Sequence, residues 1–245
     1  MPKKSAKPAS QAKVRFVTAT TLFDGHDASI NVFRRLMQRA GAEVIHLGHN
    51  RSAKEIVYTA IQEGVHGIAV SSYQGGHMEF FKYVKDLLEE NGVGFIKIFG
   101  GGGGVIVPEE IRELEDYGIT KIYSPEDGQT LGLLGIIQDM MDKAATVKFP
   151  PLPKDWQKKV QQRHSFVVTQ LISLAENNYQ DNGLAFAKIR QELPKGPKQS
   201  AIIGITGTGG SGKSSLEDEF IRRFMIHYPD KSMAIIAIDP TRKKT

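Results

Sequence analysis

The sequence has no cysteine, which excludes disulfides, thiolate metal sites and a cysteine nucleophile and suits a reducing, cytoplasmic compartment. Long apolar runs are missing as well. No stretch approaches the roughly 18 to 20 residues a spanning helix requires, and the first 13 residues lack the apolar centre of a secretory signal. No membrane role is expected. A clustered basic patch is the third absence: the formal net charge is +5, but Lys3, Lys4, Lys7 and Lys13 lie in a Pro/Ala/Ser-rich start and Lys243 and Lys244 at the other end. With the excess in terminal tails and no aromatic-interleaved basic stripe, nucleic acid is not an expected partner. What is present is a chain of 245 residues with 40% hydrophobic content, enough to bury the core of one large or two medium domains.

Along the chain, short β-branched runs alternate with amphipathic segments. Residues 14–20 read as a strand, and Ile30, Phe33, Leu36, Met37 and Ala40 recur at helical spacing over 30–40, closed by Gly41. The unit then repeats. Strand 43–47 precedes a helix to Glu63 that Ser52 caps with Glu55 as its capping-box partner, and strand 67–71 precedes a helix over 78–90. Strand 94–99 runs into five consecutive glycines, Gly100 to Gly104. Pro108 starts a fourth helix where a missing amide costs nothing, and a short strand, 121–123, leads into a last helix from Asp127 or Gly128 to Lys143. Five such units predict an α/β doubly wound parallel sheet in flavodoxin-like order, with ligands at the carboxyl ends of the strands. The turn after the first strand, the turn Ser71-Ser72-Tyr73 and the glycine run then open on one edge.

From Phe149-Pro150-Pro151-Leu152-Pro153 the pattern changes to a helical linker, about 156–178 and 184–192. Its apolar residues, Phe166, Val167, Leu171 and Leu174 among them, suit packing against either neighbour, and Pro194-Lys195-Gly196-Pro197 ends it. A second domain begins at Ser200: strand 201–206, a glycine-rich loop, helix 216–225 and strand 233–238 ending at Asp239-Pro240. The 46 residues from Ser200 onward are too few to cover both faces of a nucleotide-binding sheet, so a fragment of a longer protein is expected. The expected boundaries are a basic flexible tail over 1–13, a ligand-binding domain over 14–146, the linker over 147–199 and a truncated P-loop domain over 200–245.

Two motifs carry chemistry. Gly207-Thr208-Gly209-Gly210-Ser211-Gly212-Lys213-Ser214 satisfies the phosphate-loop pattern, and Ser215 extends it. Glycines let backbone amides converge on phosphate oxygens, Lys213 supplies the catalytic point charge, and the Ser214 hydroxyl can hold magnesium. A chance match is expected in about two of a hundred chains of this composition. Asp239, at the end of an apolar strand, is a candidate second magnesium ligand. The other motif is Asp24-Gly25-His26-Asp27-Ala28-Ser29, where the Asp24 carboxylate can hold one nitrogen of His26 while the other faces a metal. Alone it is weak, because an Asp-x-His triplet arises by chance in about one such chain in three. The remaining histidines, His46, His49, His66, His77, His164 and His227, form no ligand spacing and read as core or surface residues, although His77 follows the Ser71 loop and can line a ligand there.

With Asp24-x-His26-x-x-Ser29, Ser71-x-Tyr73 and Gly100-Gly101 together, the chain resembles the cobalamin-binding signature of base-off, histidine-on enzymes. The 41 residues from Ile30 to Val70 and the 26 from Gln74 to Phe99 agree with that signature's spacing. Ser29 stands where the family usually has Gly, and Tyr73 where it usually has Leu. The order of cobalamin domain, helical linker and phosphate loop is similar to the N-terminal part of the fused isobutyryl-CoA mutases, in which a G-protein chaperone sits between the cobalamin domain and the mutase barrel. Residues 239–245 resemble the start of that family's first switch region.

The resemblance implies His26 as the lower cobalt ligand, oriented by Asp24. It further implies that Gly25, Asp27, Ser71, Tyr73, Gly100, Gly101 and Gly102 surround the cofactor and its displaced nucleotide tail. It implies adenosylcobalamin, GTP with Mg2+ at Gly207, Gly209, Gly210, Ser211, Gly212, Lys213, Ser214 and Ser215, and radical interconversion of isobutyryl-CoA and n-butyryl-CoA. The acyl-CoA would bind a barrel missing here, so this chain by itself should bind and not isomerise. A cytoplasmic homodimer is the default for the full-length protein. Two other readings stand beside it: a stand-alone cobalamin carrier or delivery G protein without mutase activity, and a phosphate-loop ATPase with a flavodoxin-like regulatory domain and no corrin. Continuation of the sequence into a barrel separates the first, and a cobalamin titration the second.

Overall fold

The alternation of β-branched runs and amphipathic segments becomes five strands and the helices between them. The structure, a computed structural model, describes residues 14–25, 28–178, 184–193 and 201–236, and it divides into two compact units, Met1–Pro194 and Lys195–Thr245. In the first unit β1 (Arg15–Thr21), α1 (Ala28–Arg39), β2 (Glu43–Arg51), α2 (Ala53–Glu63) and β3 (Gly67–Ser71) are followed by α3 (His77–Glu90), β4 (Lys97–Gly101), α4 (Pro108–Tyr117), β5 (Lys121–Tyr123) and α5 (Pro125–Ala145). The strands are parallel in the order β2-β1-β3-β4-β5, the flavodoxin-like order expected from five βα units.

Each face of the sheet has its own core. On one side Ile56, Phe81, Leu88 and Leu114 of α2, α3 and α4 pack against Val17, Ile68 and Ile98. On the other, Met37 of α1 and Ile137 and Met140 of α5 pack against Phe16 and Phe99, whose rings lie 6.0 Å apart. Every residue of β3 is buried, as expected of a central parallel strand covered on both faces. Burial of each large apolar side chain in these two cores contributes about 1.5 to 3 kcal/mol.

Local signals set the helix ends. Ser52 Oγ accepts the Glu55 amide while Glu55 Oε2 accepts the Ser52 amide, the expected capping box. α2 ends at Gly64 in the left-handed conformation, and a Cβ there would stand 2.6 Å from Thr169 Cγ2. That close approach belongs to the linker, which packs in the first unit. It forms α6 (Trp156–Gln161), α7 (Ser165–Asn178) and α8 (Leu184–Glu192). Thr169 Oγ1 donates to the Gln62 carbonyl at 2.6 Å, the Phe149 ring packs among His66, Phe95 and Phe166, and Trp156, Val167 and Leu171 form a small core.

Several boundaries differ from the sequence reading. β2 continues four residues past Leu47, and β4 starts at Lys97 instead of residue 94. The first linker helix, expected over 156–178, is two, parted where Arg163 takes a left-handed φ of 59°. α5 is broken at Gly132, whose φ of 64° and ψ of 171° suit only glycine. In the second unit, α9 (Lys213–His227) forms, but residues 201–206 and 233–236 are irregular and not the expected strands. A strand exists only through its neighbours, and no described residue pairs with either segment. Ile202 and Ile236 stay 95% and 88% exposed. Among the described residues, no helix is long and apolar enough to cross a membrane.

Candidate cofactor site

Parallel pairing puts Thr20, Ser71 and Gly101 in register across β1, β3 and β4, so the three candidate loops leave the sheet side by side from one edge. Hydrogen bonds join them. Asp24 is fully buried, and its Oδ2 accepts the Tyr73 amide at 2.7 Å. Thr20 Oγ1 donates to the Asp24 carbonyl and the Asp24 amide to the Thr21 carbonyl, which winds the chain tightly off β1. The Ser72 amide donates to the Gly101 carbonyl at 2.8 Å, and Thr21 Oγ1 to Ser72 Oγ at 3.2 Å. The Tyr73 amide thus gives this deeply buried carboxyl a directed hydrogen-bond partner, as a buried polar group needs.

His26 and Asp27 lie outside the described residues, as does Asp239. Gly25 is exposed, with open space where a side chain would be. Three residues past His26, Ser29 Oγ lies 3.2 Å from Ser71 Oγ, so the serine that stands in place of the usual glycine pairs with the other hydroxyl of the signature.

Between the sheet and the α1/α5 layer, an open cleft runs down from these hydroxyls. Phe33, Phe99, Tyr123, Ile136 and Met140 line its depth, and Gly100 to Gly103 one wall; its mouth carries Ser29, Ser71 and Tyr73. The wall glycines are not equivalent. A Cβ on Gly102 would stand 1.9 Å from the Ser72 carbonyl oxygen, and one on Gly100 would meet Phe81 and Ile122 at 2.5 Å, so the protein's own packing demands both. On Gly101 a Cβ would meet only the Tyr123 carbonyl, at 3.5 Å. By strand alternation Gly101 shares the face of Phe99, which is the cleft side.

The Tyr123 hydroxyl donates to Asp139 Oδ2 at 2.7 Å, and burial, then the Asp139 carboxylate, push its ionisation far above the ordinary tyrosine range. It stays neutral. His46 bonds Thr18 Oγ1 at 2.9 Å, and His66 accepts the Arg15 amide at Nδ1, with burial and the Arg15 charge lowering its pKa. His77 is buried at the start of α3. Its Nε2 lies 2.9 Å from Glu110 Oε2 and its Nδ1 3.2 Å from the Gln74 carbonyl.

The phosphate loop of the second unit is formed locally. Gly210 and Gly212 take left-handed φ values of 76° and 80°, which turns the chain into α9 with Lys213, Ser214 and Ser215 as its first residues. Lys213 Nζ donates to the Thr208 carbonyl at 2.7 Å, and Ser211 Oγ lies 3.0 Å from where a Gly207 Cβ would be. Gly207 to Ser215 thus surround the start of one helix, the arrangement that suits a phosphate group.

Comparison with known families bears on both halves. The B12 binding domain matches residues 14–131, and the methylmalonyl-CoA mutase-associated GTPase MeaB matches residues 168–245. By fold and site the chain is therefore a flavodoxin-like cobalamin-binding domain followed by the start of a MeaB-type phosphate-loop GTPase. It is 53% identical over 238 residues to the fused isobutyryl-CoA mutase of Geobacillus kaustophilus and 54% identical over 238 residues to that of Cupriavidus metallidurans, with 95% of this chain covered in each case. It is 33% identical over 112 residues to the 2-hydroxyisobutanoyl-CoA mutase small subunit of Aquincola tertiaricarbonis, with 46% of this chain and 81% of that protein covered. The chain belongs to the fused isobutyryl-CoA mutase family. It spans 22% and 21% of the length of the first two relatives.

Proposed function

We propose that this chain is the cofactor-binding and G-protein part of an adenosylcobalamin-dependent acyl-CoA mutase that interconverts isobutyryl-CoA and n-butyryl-CoA. In this reading the domain over 14–146 holds the corrinoid, 147–199 link it, and 200–245 bind GTP with Mg2+, whose hydrolysis gates cofactor loading. The acyl-CoA binds a mutase barrel on another part of the protein, which works as a cytoplasmic homodimer. Adenosylcobalamin, when bound, supplies the radical by homolysis of its cobalt–carbon bond.

The cleft is the observation that carries the reading. A displaced nucleotide tail needs a channel that is apolar at depth and hydroxylated at its mouth, beside a loop able to give a metal ligand. The cleft has this form, from Met140 and Phe99 up to Ser29 and Ser71. His26 would hold the cobalt in place of the cofactor's own benzimidazole, and the buried Asp24 would orient it. Ser71 and Ser29 offer hydroxyls to the tail, and Gly100, Gly101 and Gly102 keep the wall free of side chains. Tyr123, neutral and tied to Asp139, lines the depth without adding charge. In the second unit Lys213 and the amides of the glycine loop hold the GTP phosphates, while Ser214 and Asp239 hold magnesium.

The test is a titration of adenosylcobalamin into the protein, followed in the visible spectrum. Wild type should give the base-off, histidine-on spectrum, and His26→Ala should lose it. Gly101→Ala should leave the fold intact and weaken binding at least about tenfold, since its methyl enters the cleft. No spectral change in wild type removes the cobalamin reading. A histidine-on spectrum that persists in His26→Ala removes the ligand assignment.

A further inference from the structure

Phe23 is a bulky residue held at a φ of 64°, where a side chain of its kind is strained, and its ring is 77% exposed. No core contact repays that conformation. Such a backbone persists only where its surroundings over-determine it, and here both of its peptide groups are tied by side chains from other elements. The Phe23 amide donates to Asn50 Oδ1 at 2.7 Å, and the Phe23 carbonyl accepts from Gln74 Nε2. Asn50 is itself left-handed, at a φ of 56°, and its amide donates to Thr20 Oγ1.

The Gln74 tie continues inward. His77 Nδ1 lies 3.2 Å from the Gln74 carbonyl and His77 Nε2 2.9 Å from Glu110 Oε2, so the ring bridges these two acceptors. The same Glu110 oxygen also accepts the Val107 amide at 3.0 Å, which closes the start of α4 where the glycine loop ends. The Val107 amide, the His77 ring and the Phe23 carbonyl thus belong to one hydrogen-bonded series reaching from α4 through the start of α3 to the loop after β1. One residue beyond Phe23, the Asp24 carboxylate closes the circuit on the Tyr73 amide.

We propose that Gln74 and His77 are positioning residues: they fix the strained Phe23 and so set the direction in which the chain enters Asp24, Gly25 and the cobalt-ligating His26. The proposal rests on the cobalamin reading above. Neither side chain lines the cleft; each acts through the loop. His77 holds the Gln74 carbonyl and with it the turn that aims the Gln74 amide at Phe23, and Glu110 holds His77 against the end of the glycine loop. A pre-formed ligand loop binds without the cost of ordering it, and loosening a partner of this kind typically weakens a metal site about 10- to 100-fold.

The decisive variant is Gln74→Ala, which removes the last link at a partly exposed position and leaves no cavity. Adenosylcobalamin is titrated into wild type, Gln74→Ala and His77→Ala, with the histidine-on fraction read at saturating cofactor. Amide exchange at Phe23 and Tyr73 is read in the cofactor-free protein. Both variants should bind about tenfold more weakly, show a smaller histidine-on fraction even at saturation, and exchange faster at Phe23 and Tyr73 while Ile68 stays protected. A role in stability alone would leave the saturated spectrum unchanged. If wild type gives the histidine-on spectrum and Gln74→Ala matches it in affinity, saturated spectrum and Phe23 exchange, the proposal is overturned while the cobalamin reading stands. Should His77→Ala fail to fold, Gln74→Ala decides alone. Absence of the histidine-on spectrum from wild type fails the cobalamin reading itself.

Discussion

Ile98 in β4 and Ile236 in the second unit are the same residue in similar apolar runs, yet one is 1% exposed and the other 88%. Ile98 sits on a strand paired on both sides and under a helix layer, whereas no described residue pairs with the segment around Ile236. The glycine loops of the two units differ in the opposite sense. Gly207 to Lys213 reaches its left-handed turns and helix start with no strand beside it among the described residues, since those features depend on residues a few positions apart. The cleft of the first unit depends on partners about 50 residues distant, such as Asp24 with Tyr73. The glycine turn at the start of α9 is thus local chemistry, while the cleft is a property of the assembled sheet.

Hydrogen exchange should show this contrast most strongly. Amides of Ile68 and Ala69, central in the sheet, should exchange only through global opening, at least about 10³- to 10⁴-fold slower than unprotected peptide for a domain of ordinary stability. Amides at 202, 203 and 235 should exchange near the unprotected rate. Comparable protection in the two sets would show a formed sheet in the second unit and break the comparison.

A matched pair of substitutions follows at smaller scale. Ile98→Ala removes buried methylenes from a covered strand and should cost about 2 to 5 kcal/mol in urea unfolding of the first unit. Ile236→Ala should stay within about 0.5 kcal/mol, as exposed positions do. Equal effects would mean that Ile236 is covered after all.

What the sequence disclosed divides along the same line. The capping box at Ser52, the proline start of α4, the five βα units and the common edge of the three loops were legible, because each rests on periodicity or short spacing. The strands expected over 201–206 and 233–238 were not, since apolar alternation shows a residue's preference and not whether a neighbour exists to satisfy it. Gly132 carried a signal, one of three glycines within eight residues in a helical run, but the break it makes depends on how α5 meets the sheet. The site was legible as to which loops meet and illegible as to how they are held. Gln74, His77 and Glu110 have no local pattern, and His77 read as an ordinary histidine until its two partners, 3 and 33 positions away, were in place. The docking of Phe149 and Thr169 on the first unit was likewise open, because the linker's apolar residues suit either side.

The smallest expected effect is on α9, where no residue is buried and local charge is left to support the helix. Glu219 bonds Arg222 through Nε and Nη2, each at 2.9 Å, and Arg223 through Nε at 2.7 Å. The Arg222 hydrogen bonds first, then those of Arg223, hold its carboxyl down to about 2, against an ordinary value of 4.5. A depressed carboxyl stabilises the folded form above its unfolded pKa, and that contribution is lost as the pH falls from about 4.5 through about 2. The pairs lie at the surface, so salt should screen them. Glu219→Gln should therefore lower helical circular dichroism slightly at pH 7 and low salt, by less in 1 M NaCl, and by a diminishing amount as the pH falls through about 2, while the melting of the first unit stays unchanged throughout. A Glu219→Gln helix signal equal to wild type at pH 7 and low salt would show that α9 is held by packing and not by its charges. That would remove the distinction between a helix buried in a core and one held by neighbours three and four residues along its own chain.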